Sequence, residues 1–230
     1  MTLAIIPARG GSKRIPKKNI KKFCGEPVIA WSIAAAIESE CFDQIIVSTD
    51  NEEIAEIARR NGAEIPFMRP PYLADDFTPT IPVVRHAIEY TRLQGKYHKL
   101  VCCIYPAAPL ISSAVLRQAL ELLRENQSGF VFPVAKHDSP IQRALSMKMD
   151  GTVSMLHPDK ALTRSQDLEP TYFDAGQFYW GRVTDWINEE TVFVSDAKGI
   201  VLPRHLVQDI DSDEDWDLAE MFFQLTRRPN

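Results

Sequence analysis

Leu3-Ala-Ile-Ile-Pro7 runs directly into Ala8-Arg-Gly-Gly-Ser-Lys-Arg-Ile-Pro-Lys-Lys-Asn19. The first four residues form an apolar run of strand length, which stops at Pro7. Arg9, Gly10, Gly11, Ser12, Lys13, Arg14, Lys17 and Lys18 then follow without apolar periodicity. A short apolar, β-branched run leading into a Gly-rich turn reads as a buried strand that delivers a loop to the edge of a sheet. Paired glycines allow close backbone approach, and their N–H groups, with Ser12, can line an anion cradle. Cations around such a cradle suit a polyphosphate. The stretch is neither a Gly-Lys-Ser/Thr phosphate loop nor G-x-G-x-x-G. Its density is what sets it apart from an ordinary solvated loop. Arg9, Lys13, Arg14, Lys17, Lys18, Lys21 and Lys22 are seven of the 26 basic residues in a chain of net charge −5. Nucleic acid is a poor partner, because such surfaces interleave cations with stacking aromatics and only Phe23 lies near.

At 230 residues the chain fits one α/β domain, residues 1–230, with room for a small excursion. Its 45% hydrophobic and 25% charged content is that of a globular protein. No apolar stretch approaches a membrane span, and the N-terminus lacks the basic-then-apolar pattern of a signal peptide. Cys24, Cys41, Cys102 and Cys103 show no metal-binding spacing, and the last two sit in a strand-like run as reduced thiols. A cytoplasmic location follows from that reading.

Working outward, a helix is expected over Pro27–Glu38 with Val28, Trp31, Ile33, Ala34 and Ile37 as its apolar positions. Gln44-Ile-Ile-Val-Ser-Thr-Asp50 reads as a buried strand. Asp50 or Asn51 then caps a helix over Glu52–Arg60, which ends at Asn61-Gly62. A third short strand is expected over Ala63–Met68. Helix Thr80–Leu93, strand Lys99–Tyr105, helix Ala114–Glu125 and strand Gly129–Val134 follow. This alternation implies a mostly parallel sheet covered on both faces, with ligands beyond the carboxyl ends of its strands. It breaks over 135–180, where Arg143–Met149, the turn Asp150-Gly151 and Val153–Leu156 suggest a hairpin belonging to a lid or dimer arm. Tyr172–Trp180 resumes as an aromatic strand interrupted at Ala175-Gly176. Ser212 is placed to cap a final helix with Trp216, Ala219 and Phe223 on its apolar face and Arg227 and Arg228 in its last turn.

Asp209 and Asp211 stand two apart. In an extended segment both would face one way while Ile210 points into the protein. Two neighbouring carboxylates repel unless a cation or proton intervenes, and Mg²⁺ commonly takes one or two carboxylates together with substrate phosphates. Spacing alone is equally consistent with one capping and one solvated aspartate.

Ile5-Ile-Pro-Ala-Arg-Gly-Gly-Ser-Lys13 with Pro16-Lys-Lys-Asn-Ile20 resembles the N-terminal signature of the sugar-activating cytidylyltransferases. Ile45-Ile-Val-Ser-Thr-Asp50, Arg69-Pro-Pro-Tyr-Leu-Ala-Asp-Asp76 and Gln208-Asp-Ile-Asp211 match later motifs in order. The resemblance implies a Rossmann-like nucleotide-diphospho-sugar transferase fold and a homodimer built through the excursion. The implied reaction is attack by the anomeric hydroxyl of a nonulosonic acid on the α-phosphate of CTP, with Mg²⁺ and release of pyrophosphate, feeding surface-glycan or flagellin glycosylation. Carried over position by position, Arg9, Gly10, Gly11, Ser12, Lys13 and Lys18 would hold the triphosphate. Asn19, Arg69, Thr78 and Thr80 would lie near cytosine and ribose. Asp209 and Asp211 would bind the metal, and these two with Arg9 and Lys18 would form the catalytic set. Sialic-acid-type members carry Gln-Pro-Thr-Ser-Pro-Leu-Arg where this chain has Tyr105-Pro-Ala-Ala-Pro-Leu-Ile111. Phe173-Asp-Ala-Gly-Gln-Phe-Tyr-Trp180 and Asp75-Asp-Phe-Thr-Pro-Thr80 instead resemble the branch acting on pseudaminic acid. Tyr105, Arg164, Tyr172 and Gln177 are the expected sugar contacts. The alternatives left open are another acidic sugar (sialic, legionaminic or KDO) and a non-catalytic CTP-binding regulator.

Overall fold

The computed structural model describes residues 1–125 and 129–226. The expected last-turn positions Arg227 and Arg228 lie outside them. In chain order the elements are β1 (Thr2–Pro7), β2 (Lys22–Phe23), β3 (Glu26–Pro27), α1 (Val28–Glu38), β4 (Gln44–Ser48) and α2 (Glu52–Arg60). Next come α3 (Thr80–Leu93), β5 (Leu100–Ile104), α4 (Ser113–Glu125), β6 (Val131–Lys136), β7 (Leu145–Met147) and β8 (Val153–Met155). The chain continues through β9 (Tyr172–Asp174), β10 (Phe178–Arg182), α5 (Val183–Asn188), β11 (Lys198–Leu202) and α6 (Asp213–Thr226).

The main sheet has the order β11-β6-β10-β5-β1-β4, with β9 also on β6. The pairs β1–β4, β1–β5 and β11–β6 are parallel, whereas β10 is antiparallel to both β5 and β6, and β9 to β6. Five strands therefore run one way and two the other, so the mostly parallel α/β reading holds. Period-2 geometry sends alternate residues of each central strand to opposite faces. Ala4, Ile6, Cys102 and Ile104 join α1, α2 and α4 in one core, while Leu3, Ile5, Val101 and Cys103 join α3 and α5 in another.

Several expectations need correction. The third strand over Ala63–Met68 reduces to one bridge, Ile46 to Glu64. Pro66 follows two residues later and has no N–H to extend the ladder. Helix α1 is not one-sided, because Ile29, Ser32, Ala35 and Ala36 are buried and Ile37 is exposed. It packs against α2, α4 and the sheet together, so period-based selection of a single face misassigned it. Helix α5 and β11 were not anticipated. Their short mixed sequences carry little periodicity, and it is tertiary packing of Trp186 and Ile200 that fixes them.

The segment that leaves the sheet is narrower than 135–180. Ala135 and Lys136 still pair with β9, and an N–H from His137 to the Thr171 carbonyl (3.0 Å) closes the neck. Within it, β7 and β8 form the expected antiparallel hairpin, with the Asp150 carboxylate accepting the Thr152 N–H at 2.9 Å.

A third, smaller core positions the functional edge. Ile15 from the basic loop, Phe23 from β2, Ile210 and α6 residues Trp216 and Phe223 pack together. Phe23 meets both α6 aromatics edge-on, with ring centres 5.5 and 5.3 Å away. Ser212 caps α6 as expected: its hydroxyl accepts the Asp215 N–H at 3.2 Å, and the Asp215 carboxylate accepts the Ser212 N–H at 2.9 Å. Asn51, rather than Asp50, caps α2 through the Ile54 N–H at 3.1 Å.

Candidate active site

The carboxyl ends of β1, β4 and β5 and the start of β10 meet at one edge, because Pro7 pairs with Ser48 and Ile104 with Phe178. The loop after β1 is pinned at several points. The Ala8 N–H reaches the Ser48 carbonyl at 2.9 Å, the Asn19 side-chain amide donates to the Arg9 carbonyl at 2.9 Å, and Ile15 is buried in the small core. A loop so anchored can hold its cations in fixed positions without help from a ligand.

A cavity of about 280 Å³ opens at this edge. One wall carries Arg9, Ser12, Lys13 and Lys18, with Asn19 beside them. Arg69, Thr78, Thr80 and Tyr105 line it from the side of β4, β5 and α3, and Asp209 stands on the remaining rim. The basic loop and the late acidic pair therefore share one cleft. Ile15 and Ile210 in a common core draw the two segments together, and ion pairs complete the approach. Arg14 pairs with Asp211 at 2.5 Å, Lys18 Nζ lies 3.7 Å from the Asp211 carboxylate, and the same ammonium donates to the Ile210 carbonyl.

The electrostatics of the cleft follow from crowding. Although Asp209 keeps surface open to solvent, the surrounding protein and then the Asp211 charge raise its carboxyl above the ordinary range, with Lys18 opposing. Burial likewise lowers the Lys18 ammonium, against the pull of Asp211 and Asp209. Arg69 is only 5% exposed. Its Nε donates to the Ser48 hydroxyl at 3.1 Å and its Nη2 to the Ser48 carbonyl at 2.5 Å, and burial pushes its pKa down to about 10. It remains cationic at neutral pH.

Not every expected residue enters the cleft. The Gly10 N–H is already taken by the Asp50 carboxylate at 2.8 Å, and a Cβ at Gly10 would sit 2.9 Å from that of Asn51. Gly10 thus permits close packing of two loops, and neither it nor Gly11 lines the cavity. Gln177 is buried, with its amide donating to the Leu206 carbonyl at 2.6 Å. Tyr172 is exposed on β9 and Arg164 lies in the excursion, and neither lines this cleft or the cavity beside it. Of the expected sugar contacts, Tyr105 alone does, its hydroxyl 3.3 Å from that of Thr80.

Sequence reasoning gave no role to Asp76, although it lies inside a quoted motif. Its carboxylate pairs with both Lys13 and Arg9, and those contacts lower its pKa. Asp75 accepts the Phe77 and Thr78 N–H groups at 2.9 and 2.6 Å and so fixes the loop that presents it. The adjacent acids were the available signal. The Tyr179–Asp174 contact was also missed, and burial together with its acidic and phenolic neighbours pushes the Tyr179 phenol far up.

The Asp209/Asp211 pair suits a hard divalent cation in its donor chemistry. Two carboxylates flank a buried Ile210, and burial and mutual repulsion give one of them reason to seek a cation. Among the described residues there is no group of three or more His, Cys, Asp or Glu that could hold a metal ion.

The chain is similar to known proteins over nearly its whole length. The family model described as cytidylyltransferase matches residues 3–221. A pseudaminic acid cytidylyltransferase from Campylobacter jejuni is 43% identical over 97% of this chain and 96% of its own. A CMP-N,N'-diacetyllegionaminic acid synthase from Legionella pneumophila is 30% identical over 98% and 97%. In structure, the chain is similar to a CMP:2-keto-3-deoxy-manno-octonic acid synthetase complexed with CTP. The TM-score is 0.71 at 13% identity, covering 98% of this chain and 99% of that one, a likeness of fold.

Proposed function

The chain belongs to the cytidylyltransferase family, and from that premise we propose that it transfers CMP from CTP to the anomeric hydroxyl of a nonulosonic acid, pseudaminic acid in particular. The observation that carries this reading is a single cleft lined by four cations of the Gly-rich loop, Arg9, Lys13, Arg14 and Lys18, together with Asp209. Identity of 43–44% to two pseudaminic acid cytidylyltransferases supports the choice of sugar.

In the reaction, a bond forms between the anomeric oxygen and the α-phosphorus, the hydroxyl proton passes to Asp209 or to water, and the bond to the bridging oxygen of pyrophosphate breaks. Such displacements depend on positioning and on neutralising charge. Arg9, Ser12, Lys13 and Lys18 hold the β- and γ-phosphates and stabilise the charge that departs with pyrophosphate. Asn19 keeps the loop in shape through the Arg9 carbonyl. Arg69, Thr78 and Thr80 form the nucleoside side, and Tyr105 marks the boundary toward the sugar. Asp209 and Asp211 would hold Mg²⁺, which supplies Lewis-acid neutralisation of the α-phosphate when bound. Leu145, Met147 and Val153 are exposed on the hairpin and support a role for the excursion in homodimer formation. Four free cysteines, and no described helix long and apolar enough to cross a membrane, suit the cytoplasmic placement.

Pyrophosphate release from each common nucleoside triphosphate against a panel of nonulosonic acids tests the proposal. CTP with pseudaminic acid is expected to dominate, and no release with any pair would refute it. Asp76 provides a second check. With its charge removed, Arg9 and Lys13 no longer have an internal anion to release before they meet phosphates. Asp76→Asn is therefore expected to lower the KM for CTP by roughly threefold, since an exposed ion pair is worth about 0.2–1 kcal/mol. A raised KM would show that Asp76 instead supports the binding geometry.

A further inference from the structure

Beside the nucleotide cleft lies a second cavity, of about 330 Å³, bounded by Phe173, Asp174, Arg204, Asp209 and Asp211 among others. Asp209 lines both cavities. A group in the second cavity is therefore adjacent to whatever occupies the first, across the carboxylate nearest the proposed reaction.

From this geometry we infer that Arg204 binds the acceptor's carboxylate and so makes the enzyme specific for acidic ketoses. The inference rests on the cytidylyltransferase reading and names the group that selects its second substrate. In a nonulosonic acid the carboxylate sits on the anomeric carbon itself. An attacking hydroxyl placed near Asp209 brings that carboxylate within a few ångströms of the same wall, so a cation is needed there. Arg204 is the one cationic residue lining the second cavity.

The charges already present explain why Arg204 is available and its neighbours are not. Asp211 is engaged by Arg14 and Lys18, Asp174 accepts from Tyr179 and the Gly176 N–H, and Asp215 accepts from Ser212 and the Asp211 N–H. Arg204 is oriented, and its one carboxylate contact is an exposed, long ion pair that leaves part of the guanidinium open. Its guanidinium stacks 5.2 Å from the Phe173 ring centre, and Nη1 donates to the Val207 carbonyl at 2.7 Å. Its carboxylate contact is Asp138, 3.7 Å from Nε at the neck of the excursion. Nη2 has no partner among the described residues. A planar guanidinium held by stacking, one carbonyl and a long ion pair at Nε keeps its Nη2 edge for a carboxylate, a task lysine performs less well.

The test uses Arg204→Met and Arg204→Lys in the full chain, assayed by pyrophosphate release with the nonulosonic acid that wild type uses best and with its C1 carboxamide. Wild type is expected to favour the carboxylate over the carboxamide. Arg204→Met is expected to raise the acceptor KM about 10- to 100-fold, the range for a lost charge-assisted hydrogen bond, with the CTP KM within about twofold of wild type. Its preference for carboxylate over carboxamide should disappear, a change that loss of folded protein cannot produce. Arg204→Lys should recover part of the acceptor affinity and of that preference. An unchanged acceptor KM, a preserved preference in Arg204→Met, or equal use of acid and carboxamide by wild type overturns the assignment and leaves the reaction standing. Absence of pyrophosphate release by wild type with every acid overturns the reaction and the assignment together.

Discussion

Asp209→Asn is expected to lower kcat by about 10²- to 10³-fold while the folded protein becomes no less stable. The substitution keeps the size and hydrogen-bonding outline of the side chain and removes one charge. Its expected effect on rate follows from the place of Asp209 in both cavities and from its proposed role in holding a cation, which would contribute several kcal/mol to neutralising the transferred phosphoryl group. Stability is expected to move the other way. Burial and the Asp211 charge raise the Asp209 carboxyl above 3.8, so the folded chain holds that proton more tightly than the unfolded one. Stability of the metal-free protein therefore falls as pH rises from the ordinary carboxylate value through the raised one. Thermal melts between pH 4 and 8 should show this slope in wild type and less of it in Asp209→Asn. Added Mg²⁺ should raise the wild-type midpoint more than the mutant's. Near-wild-type turnover in the mutant, or identical Mg²⁺ responses, would remove Asp209 from the catalytic set.

Lys18→Met is expected to reduce kcat/KM for CTP by roughly 10- to 100-fold, the scale of one charge-assisted hydrogen bond in a partly buried setting. Methionine retains most of the aliphatic stem, so the packing around Lys18 is largely kept. What it loses is the ammonium that lines the cleft and donates to the Ile210 carbonyl. The acceptor KM, measured at saturating CTP, should change by less than threefold. An equal loss against both substrates would place Lys18 in maintaining the Asp209–Asp211 segment rather than in holding phosphate. An unchanged CTP KM and kcat would exclude it from the cradle.

These two residues also show how far the chain could be read without coordinates. The loop from Arg9 to Asn19 announced itself through an apolar run, a proline, two glycines and a density of charge, all of which are local. Helices α2 and α6 were legible for the same reason, since Asn51 and Ser212 are caps and a cap acts on the next few N–H groups. Helix α1 was legible as an element but not as a face, because it is buried on more than one side. Gly10 looked like a ligand-facing residue and serves instead to pack one loop against Asn51, a distinction that depends on a neighbour forty positions away.

Sequence by itself determined the alternating strands and helices of the first half, the final helix, the cationic turn and the paired late aspartates, because propensity, periodicity and spacing act over a few residues. Tertiary structure alone decided that Ile15 and Ile210 share a core and so bring that turn and those aspartates to one cleft. It also decided that Asp76 pairs with both Arg9 and Lys13, and that Arg204 lines a cavity shared with Asp209. Coulombic and packing forces act across space, and the chain carries no local mark of which distant residues folding will make neighbours.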